Sequence, residues 1–210
     1  MALDLEEQEK VAELKAWWQQ YGRFIVTLVI AFAVALAGWQ GWRWYQASQA
    51  NRAGALYDTL THAAQSGDAK AVRDASGALI ESYSGTLYAT MGALSAARFY
   101  FEHGELKNAK LQLEWALEHS PSDDFRDLAR LRLAAVLLEE KAYDEALAKL
   151  AEPHAAAYDA QYAALKGDVL VAKNDAAQAR AAYQLALDKA DAGNAAFRES
   201  VRMRLDALGG

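Results

Sequence analysis

The hydrophobic and polar positions change pattern twice along the chain. Between Asp4 and Tyr21, Val11, Leu14, Trp18 and Tyr21 recur at steps of three and four, with Glu6, Glu7, Glu9 and Glu13 on the other side. That spacing predicts an amphipathic helix. From Phe24 to Trp42 the alternation stops, and nineteen residues, FIVTLVIAFAVALAGWQGW, carry no charge. As a helix such a run extends about 28 Å, close to the hydrocarbon thickness of a bilayer, about 30 Å. Arg23 and Arg43 bound it, and Trp39, Trp42, Trp44 and Tyr45 gather at its exit, where amphipathic rings favour the headgroup layer. A membrane span is expected over residues 24–44. Trp17 and Trp18 then read as interfacial anchors, or as a docking face for another membrane protein, and Gly22 as the break between amphipathic helix and span. Ala35-Leu36-Ala37 also has the form of a signal-peptidase site. The acidic stretch ahead of the run and its apolar continuation beyond favour a retained anchor over a cleaved signal.

From Gln46 onward the pattern is that of successive amphipathic helices. Breaks are expected at Gly67-Asp68, Ser84-Gly85, His103-Gly104, Ser120-Pro121, Ala151 to Pro153, Lys173-Asn174 and Gly193-Asn194. Regular helices with short turns call for a search for repeats. Between Thr90 and Pro121, the residues Ala97, Tyr100, Gly104, Ala109, Leu113, Ala116 and Pro121 occupy the small, aromatic, turn, small, bulky, small and breaker positions of a tetratricopeptide repeat. A second copy starts near Asp127, with Ala134, Leu137 and the turn Lys141 to Ala146. A third starts near Ala160, with Gly167, Leu170, Asn174-Asp175, Ala179, Tyr183 and Ala186. Gly167 marks a close helix approach. The expected organisation is all-α: a tail over 1–23, the span over 24–44, and a repeat domain over 45–210. Its hairpins fall at about 52–82, 86–121, 124–152 and 155–190, and a capping helix at 195–208 carries Phe197, Val201, Leu205 and Leu208 on one stripe. Each hairpin is too small to bury its own apolar face, so stacking makes the core.

Composition narrows the function classes. Cysteine is absent, which removes disulfides, thiolate metal sites and cysteine nucleophiles. The net charge is −6, with 23 acids against 19 bases beyond the span, so no nucleic-acid surface is expected. Lys10, Lys15 and Arg23 on one side of the span face Arg43 and Arg52 on the other, a slight bias toward a cytoplasmic N-terminus and an exported domain. His62, His103, His119 and His154 are isolated near helix ends or turns, and no Gly-rich phosphate loop or nucleophile motif occurs. No cofactor, metal or catalytic residue is expected. Asp123-Asp124 and Glu139-Glu140 read as solvated charges or caps.

A repeat array offers instead a concave face lined by the first helix of each hairpin. The register projects Met91, Leu94, Arg98 and Phe101 onto it, then Leu128, Leu131, Ala135 and Leu138, then Gln161, Ala164 and Asp168. This surface is mostly apolar and lacks the Lys and Asn cluster that clamps a terminal carboxylate, so it suits an extended or helical hydrophobic segment. The competing reading buries several of these residues between helices.

The acidic start with Glu7-Gln8 and Val11, the Trp17-Trp18 pair, Gly22, the Gly38-Trp39 span end and the Trp42-Arg43-Trp44-Tyr45 exit carry a resemblance to a known family. So do Gly85-Thr86-Leu87-Tyr88-Ala89 and Gly167-Asp168 followed by Lys173-Asn174-Asp175. Over nearly its whole length the chain resembles the YfgM-type bacterial proteins. That resemblance implies a single-pass inner-membrane protein with a cytoplasmic N-terminus and a periplasmic tetratricopeptide domain. It further implies an ancillary subunit of the SecYEG translocon, paired with the periplasmic chaperone PpiD and helping to hand on emerging secretory polypeptides. It brings no catalytic residues. Two other classes keep the same architecture: a scaffold for a different envelope assembly complex, and a signalling regulator acting through its cytoplasmic tail.

Overall fold

The computed structural model describes residues 2–209, with side chains from residue 9 onward. Glu6, Glu7 and the Glu7-Gln8 pair lie outside the described side chains. Among the described residues the secondary structure is wholly helical: α1 Ala2–Ser66, α2 Ala69–Tyr83, α3 Leu87–Glu102, α4 Leu106–His119, α5 Asp123–Glu139, α6 Tyr143–Ala151, a 3-10 turn Ala156–Tyr158, α7 Asp159–Ala172, α8 Ala176–Lys189 and α9 Ala195–Asp206. The chain divides into two compact units, Met1–Gln49 and Ala50–Gly210.

In the first unit, α1 is the one helix among the described residues long and apolar enough to cross a membrane. Phe24, Leu28, Val29, Ile30, Phe32 and Val34 are all exposed, so no protein core accounts for their character. The expected break at Gly22 does not form, and α1 continues through it. A glycine inside a helix costs only about 1 kcal/mol relative to alanine, too little to interrupt a long run of good helix formers. The Trp18 indole also lies over Gly22, where a Cβ would sit 3.1 Å from its Cε2.

The second unit is a stack of helical hairpins, each closed by the same turn. Gly67, Gly104, Lys141 and Asn174 adopt left-handed φ values of 74°, 74°, 62° and 63°. The following amide then reaches back to a carbonyl of the preceding helix: Asp68 to Ala63 at 3.0 Å, Glu105 to Tyr100 at 2.8 Å, Ala142 to Leu137 at 2.9 Å, Asp175 to Leu170 at 2.9 Å. This satisfies carbonyls that a helix end otherwise leaves unpaired. Asp68 and Asp175 go on to cap the next helix, accepting from the Ala71 and Gln178 amides. All seven sequence-expected breaks separate helices here. Helix α6 is shorter than its counterparts, nine residues, because Pro153 disfavours helical backbone at Glu152.

Successive helices from α2 to α9 pack on one another, and the first helices of neighbouring hairpins also touch, α3 with α5 and α5 with α7. The repeat positions form the seams. Ala97, Tyr100, Ala109, Leu113, Ala116, Ala134, Leu137, Ala146, Leu170, Ala179, Tyr183 and Ala186 are all buried. A Cβ on Gly167 would fall 2.5 Å from Cδ1 of Tyr183, so only glycine lets α7 and α8 meet as they do. Two apolar clusters result. The larger runs from Ala53 to Val169, the smaller joins α7, α8 and Val201 of α9, and the half-buried Leu147 touches both.

Candidate functional site

The register placed eleven residues on one face, and the structure sorts them. Leu94 and Ala164, each 4% exposed, are core residues. Phe101, Leu128, Leu131 and Leu138 are half-buried against the larger cluster, and Met91 and Gln161 are also half-buried. Asp168 is engaged internally: its carboxylate accepts from the Tyr183 hydroxyl at 2.8 Å and from Arg204 of α9 at 2.8 Å. Burial, then the Asp168 carboxylate, pushes the Tyr183 hydroxyl well above its usual pKa. Asp168 thus ties the end cap to the array.

Arg98, Phe101 and Ala135 do converge. With Ala97, Leu113, Arg132 and Val136 they line a cleft of about 300 Å³ between α3 and α5. A second cleft of about 340 Å³ shares Arg98 and extends over Thr61, Gln65, Ser95 and Glu102. The first is walled mainly by carbon, the second by hydroxyls, an amide and the exposed Arg98–Glu102 pair, 2.7 Å apart. Helix positions set the arrangement: Ala97 and Phe101 lie one turn apart on α3, and Arg132, Ala135 and Val136 present one stripe of α5.

Sequence reasoning missed Arg132. Its guanidinium donates to the Leu94 carbonyl at 3.1 Å, and among the described residues it forms no ion pair. Burial, then the like charge of Arg98, lowers its pKa from the ordinary guanidinium value. It also missed a polar cluster across the 152–158 connection. Asp127, 7% exposed, accepts from Arg130 at 2.7 Å and from the Ala155 amide at 2.8 Å. Arg130 also donates to Glu152 at 2.8 Å, and the Tyr162 hydroxyl donates to the Asp127 carbonyl at 2.8 Å. The partners come from α5, the connection and α7, so no local spacing displays the cluster.

The histidines do not converge. His103 and His119 lie 2.7 Å and 3.1 Å from carbonyls one turn earlier, His154 stacks on Tyr162, and His62 is exposed. Among the described residues no group of three acidic or imidazole side chains is placed to hold a metal.

The first unit carries a surface of its own. Trp17, Trp18 and Tyr21 are exposed toward one end of the apolar run, Trp39, Trp42, Trp44 and Tyr45 at the other. At 1.5 Å per residue the two aromatic groups are separated by about 30 Å along the helix, a bilayer's hydrocarbon thickness. Arg43 packs its guanidinium 5.0 Å over the Trp39 ring.

Stacked hairpins with left-handed turns, small residues at the seams and an apolar helix bearing two aromatic bands define a tetratricopeptide-like array joined in sequence to a membrane-type helix. The model of the tetratricopeptide repeat-like domain family matches residues 15–210. Proteins named ancillary SecYEG translocon subunit align along its whole length. The one from Haemophilus influenzae is 30% identical over 99% of this chain and 100% of its own. The one from Neisseria gonorrhoeae is 31% identical over the same shares. The one from Escherichia coli is 27% identical over 96% of each. The chain belongs to this family, the YfgM-type family that its sequence resembles. No solved structure matches it.

Proposed function

We propose that the chain is an ancillary subunit of the SecYEG translocon, held in the inner membrane by the Phe24–Trp42 run. The tail over residues 1–23 lies in the cytoplasm and residues 45–210 lie in the periplasm. There the helical array binds a PpiD-type chaperone or polypeptide segments leaving the channel, and its role is non-catalytic. The observation that carries this reading is the end-to-end match, apolar run and array together, to relatives that bear the translocon name. The aromatic bands at both ends of the run support the span, and the two clefts on either side of α3, one facing α5 and one facing the C-terminal part of α1, support binding by the array.

The test is photocrosslinking in cells with a crosslinking residue at Trp18, Trp42 or Phe101. Adducts to translocon subunits from Trp18 or Trp42, and to a periplasmic chaperone or nascent chains from Phe101, are expected. Adducts to a different membrane complex, with none to the translocon, would overturn the reading.

A further inference from the structure

Two arginines on α5, two residues apart, are treated in opposite ways. Arg130 is held between Asp127 and Glu152, at 2.7 Å and 2.8 Å. Arg132 has no carboxylate among the described residues and gives a single hydrogen bond, to the Leu94 carbonyl. The chain is not short of acids, with 28 of them. A guanidinium has five N–H donors in a planar fork that matches a carboxylate. Half-buried beside Arg98 on the wall of the α3–α5 cleft, Arg132 keeps most of them unused.

The cleft next to it has the opposite chemistry. Phe101, Ala135 and Val136 wall a space of about 300 Å³, enough to take an apolar side chain out of water. On the far side of Arg98, Thr61, Gln65 and Ser95 offer hydrogen-bonding groups to a backbone passing over them. An apolar hole, an uncompensated positive charge at its wall and a polar continuation together describe a complement.

We propose that this groove binds an extended segment of another polypeptide in which an acidic residue stands beside a large apolar one. The apolar side chain fills the cleft against Phe101 and Ala135, and the carboxylate pairs with Arg132, while Arg98 at the rim stays paired with Glu102. Arg132 is therefore the specificity residue of the array. This rests on the reading of the array as a partner-binding domain and names the chemistry it selects. Charge complementarity fixes the class of partner: neutral hydrophobic segments leave Arg132 half-buried without a counter-charge, and basic ones add repulsion to it.

The full chain, in nanodiscs of phosphatidylcholine, is titrated with fluorescein-labelled dodecapeptides read by anisotropy. The peptides share a Gly/Ser background and carry Leu-Glu-Leu, Leu-Gln-Leu or Ser-Glu-Ser at the centre. The Leu-Glu-Leu peptide is expected to bind at least about tenfold more tightly than either other peptide, the scale of one charge-assisted hydrogen bond. Arg132→Gln erases the Glu/Gln difference, Arg132→Lys keeps part of it, and Ala135→Trp blocks the Leu-Glu-Leu peptide by filling the cleft. Equal binding of Leu-Glu-Leu and Leu-Gln-Leu to the unaltered chain overturns the proposal, as does a Glu/Gln difference that survives in folded Arg132→Gln. The peptide comparison on the unaltered chain decides the matter even where a variant misfolds. A concentration-dependent dimer of the unaltered chain that Arg132→Gln dissolves, with no peptide discrimination, assigns the groove to a second copy and also overturns it. Crosslinks to the translocon from Trp42 read the function proposed above independently: their retention alongside equal peptide binding removes this inference alone.

Discussion

Gly167 and Lys141 show how a single position holds a repeat together, and from opposite directions. At Gly167 the missing Cβ is what matters, because the Tyr183 ring occupies its place and is itself held by Asp168. Overpacking costs about 1–3 kcal/mol against roughly 1 kcal/mol that alanine gains in helix propensity, so Gly167→Ala should destabilise the array by a net of up to about 2 kcal/mol. Thermal denaturation followed by circular dichroism checks it, and an unchanged or higher midpoint would count against the close approach. At Lys141 the side chain sits on left-handed backbone that its counterparts Gly67, Gly104 and Asn174 adopt more cheaply. Lys141→Gly should raise stability by about 0.5–1 kcal/mol, relief of strain less the added freedom of the unfolded chain. Both positions were legible in the sequence, because small and turn residues at fixed offsets are the repeat's own signature. Arg132 was not, since the lack of a counter-charge is a fact about neighbours in space. Leu94 and Ala164 were assigned to the open face for a related reason: periodicity gives a stripe, and only the packing of α3, α5 and α7 decides which edge of it is covered.

Between elements, the shortest α-helix of the array is followed by a polar staple. Helix α6 stops early at Pro153, and the connection to α7 is held by Asp127, Arg130 and Glu152 instead of by helical turns. Hydrogen bonding from Lys149, and then from Arg130, holds the Glu152 carboxyl below its usual pKa. A depressed carboxyl contributes stability above its unfolded-state value of about 4.3, and that contribution is lost as pH falls through the folded value. Glu152→Gln is therefore expected to melt below the unaltered protein at neutral pH, with the gap closing below about pH 4. A gap independent of pH would show that Glu152 acts through something other than its charge. At the far end, Arg204 on Asp168 and Val201 in the smaller cluster fasten α9 to α7 and α8. The sequence displayed that cap as an apolar stripe, but gave no sign of the ion pair, whose partners are far apart in the chain.

For the molecule as a whole, the division into an apolar helix and a repeat array was readable because each announces itself by period: none across the span, about 3.6 residues in the helices. Phe32 lies close to the middle of the span and is exposed. Arginine at the centre of a span costs about 2.5–3.5 kcal/mol of insertion free energy, so Phe32→Arg is expected to lose resistance to alkaline carbonate extraction where the unaltered chain keeps it. Full retention in the membrane pellet would argue against Phe24–Trp42 as the hydrophobic anchor.

The four left-handed turns have a use beyond joining helices. A positive φ changes the coupling between amide and α protons and shifts the backbone carbon resonances away from helical values. Gly67, Gly104, Lys141 and Asn174 would stand out in a solution spectrum as four markers, one in each hairpin turn, against the helical residues on either side. Each marker reports on its own hairpin. Loss of one signal while the others persist would time the opening of a single repeat, so the array carries a built-in index of the order in which it comes apart.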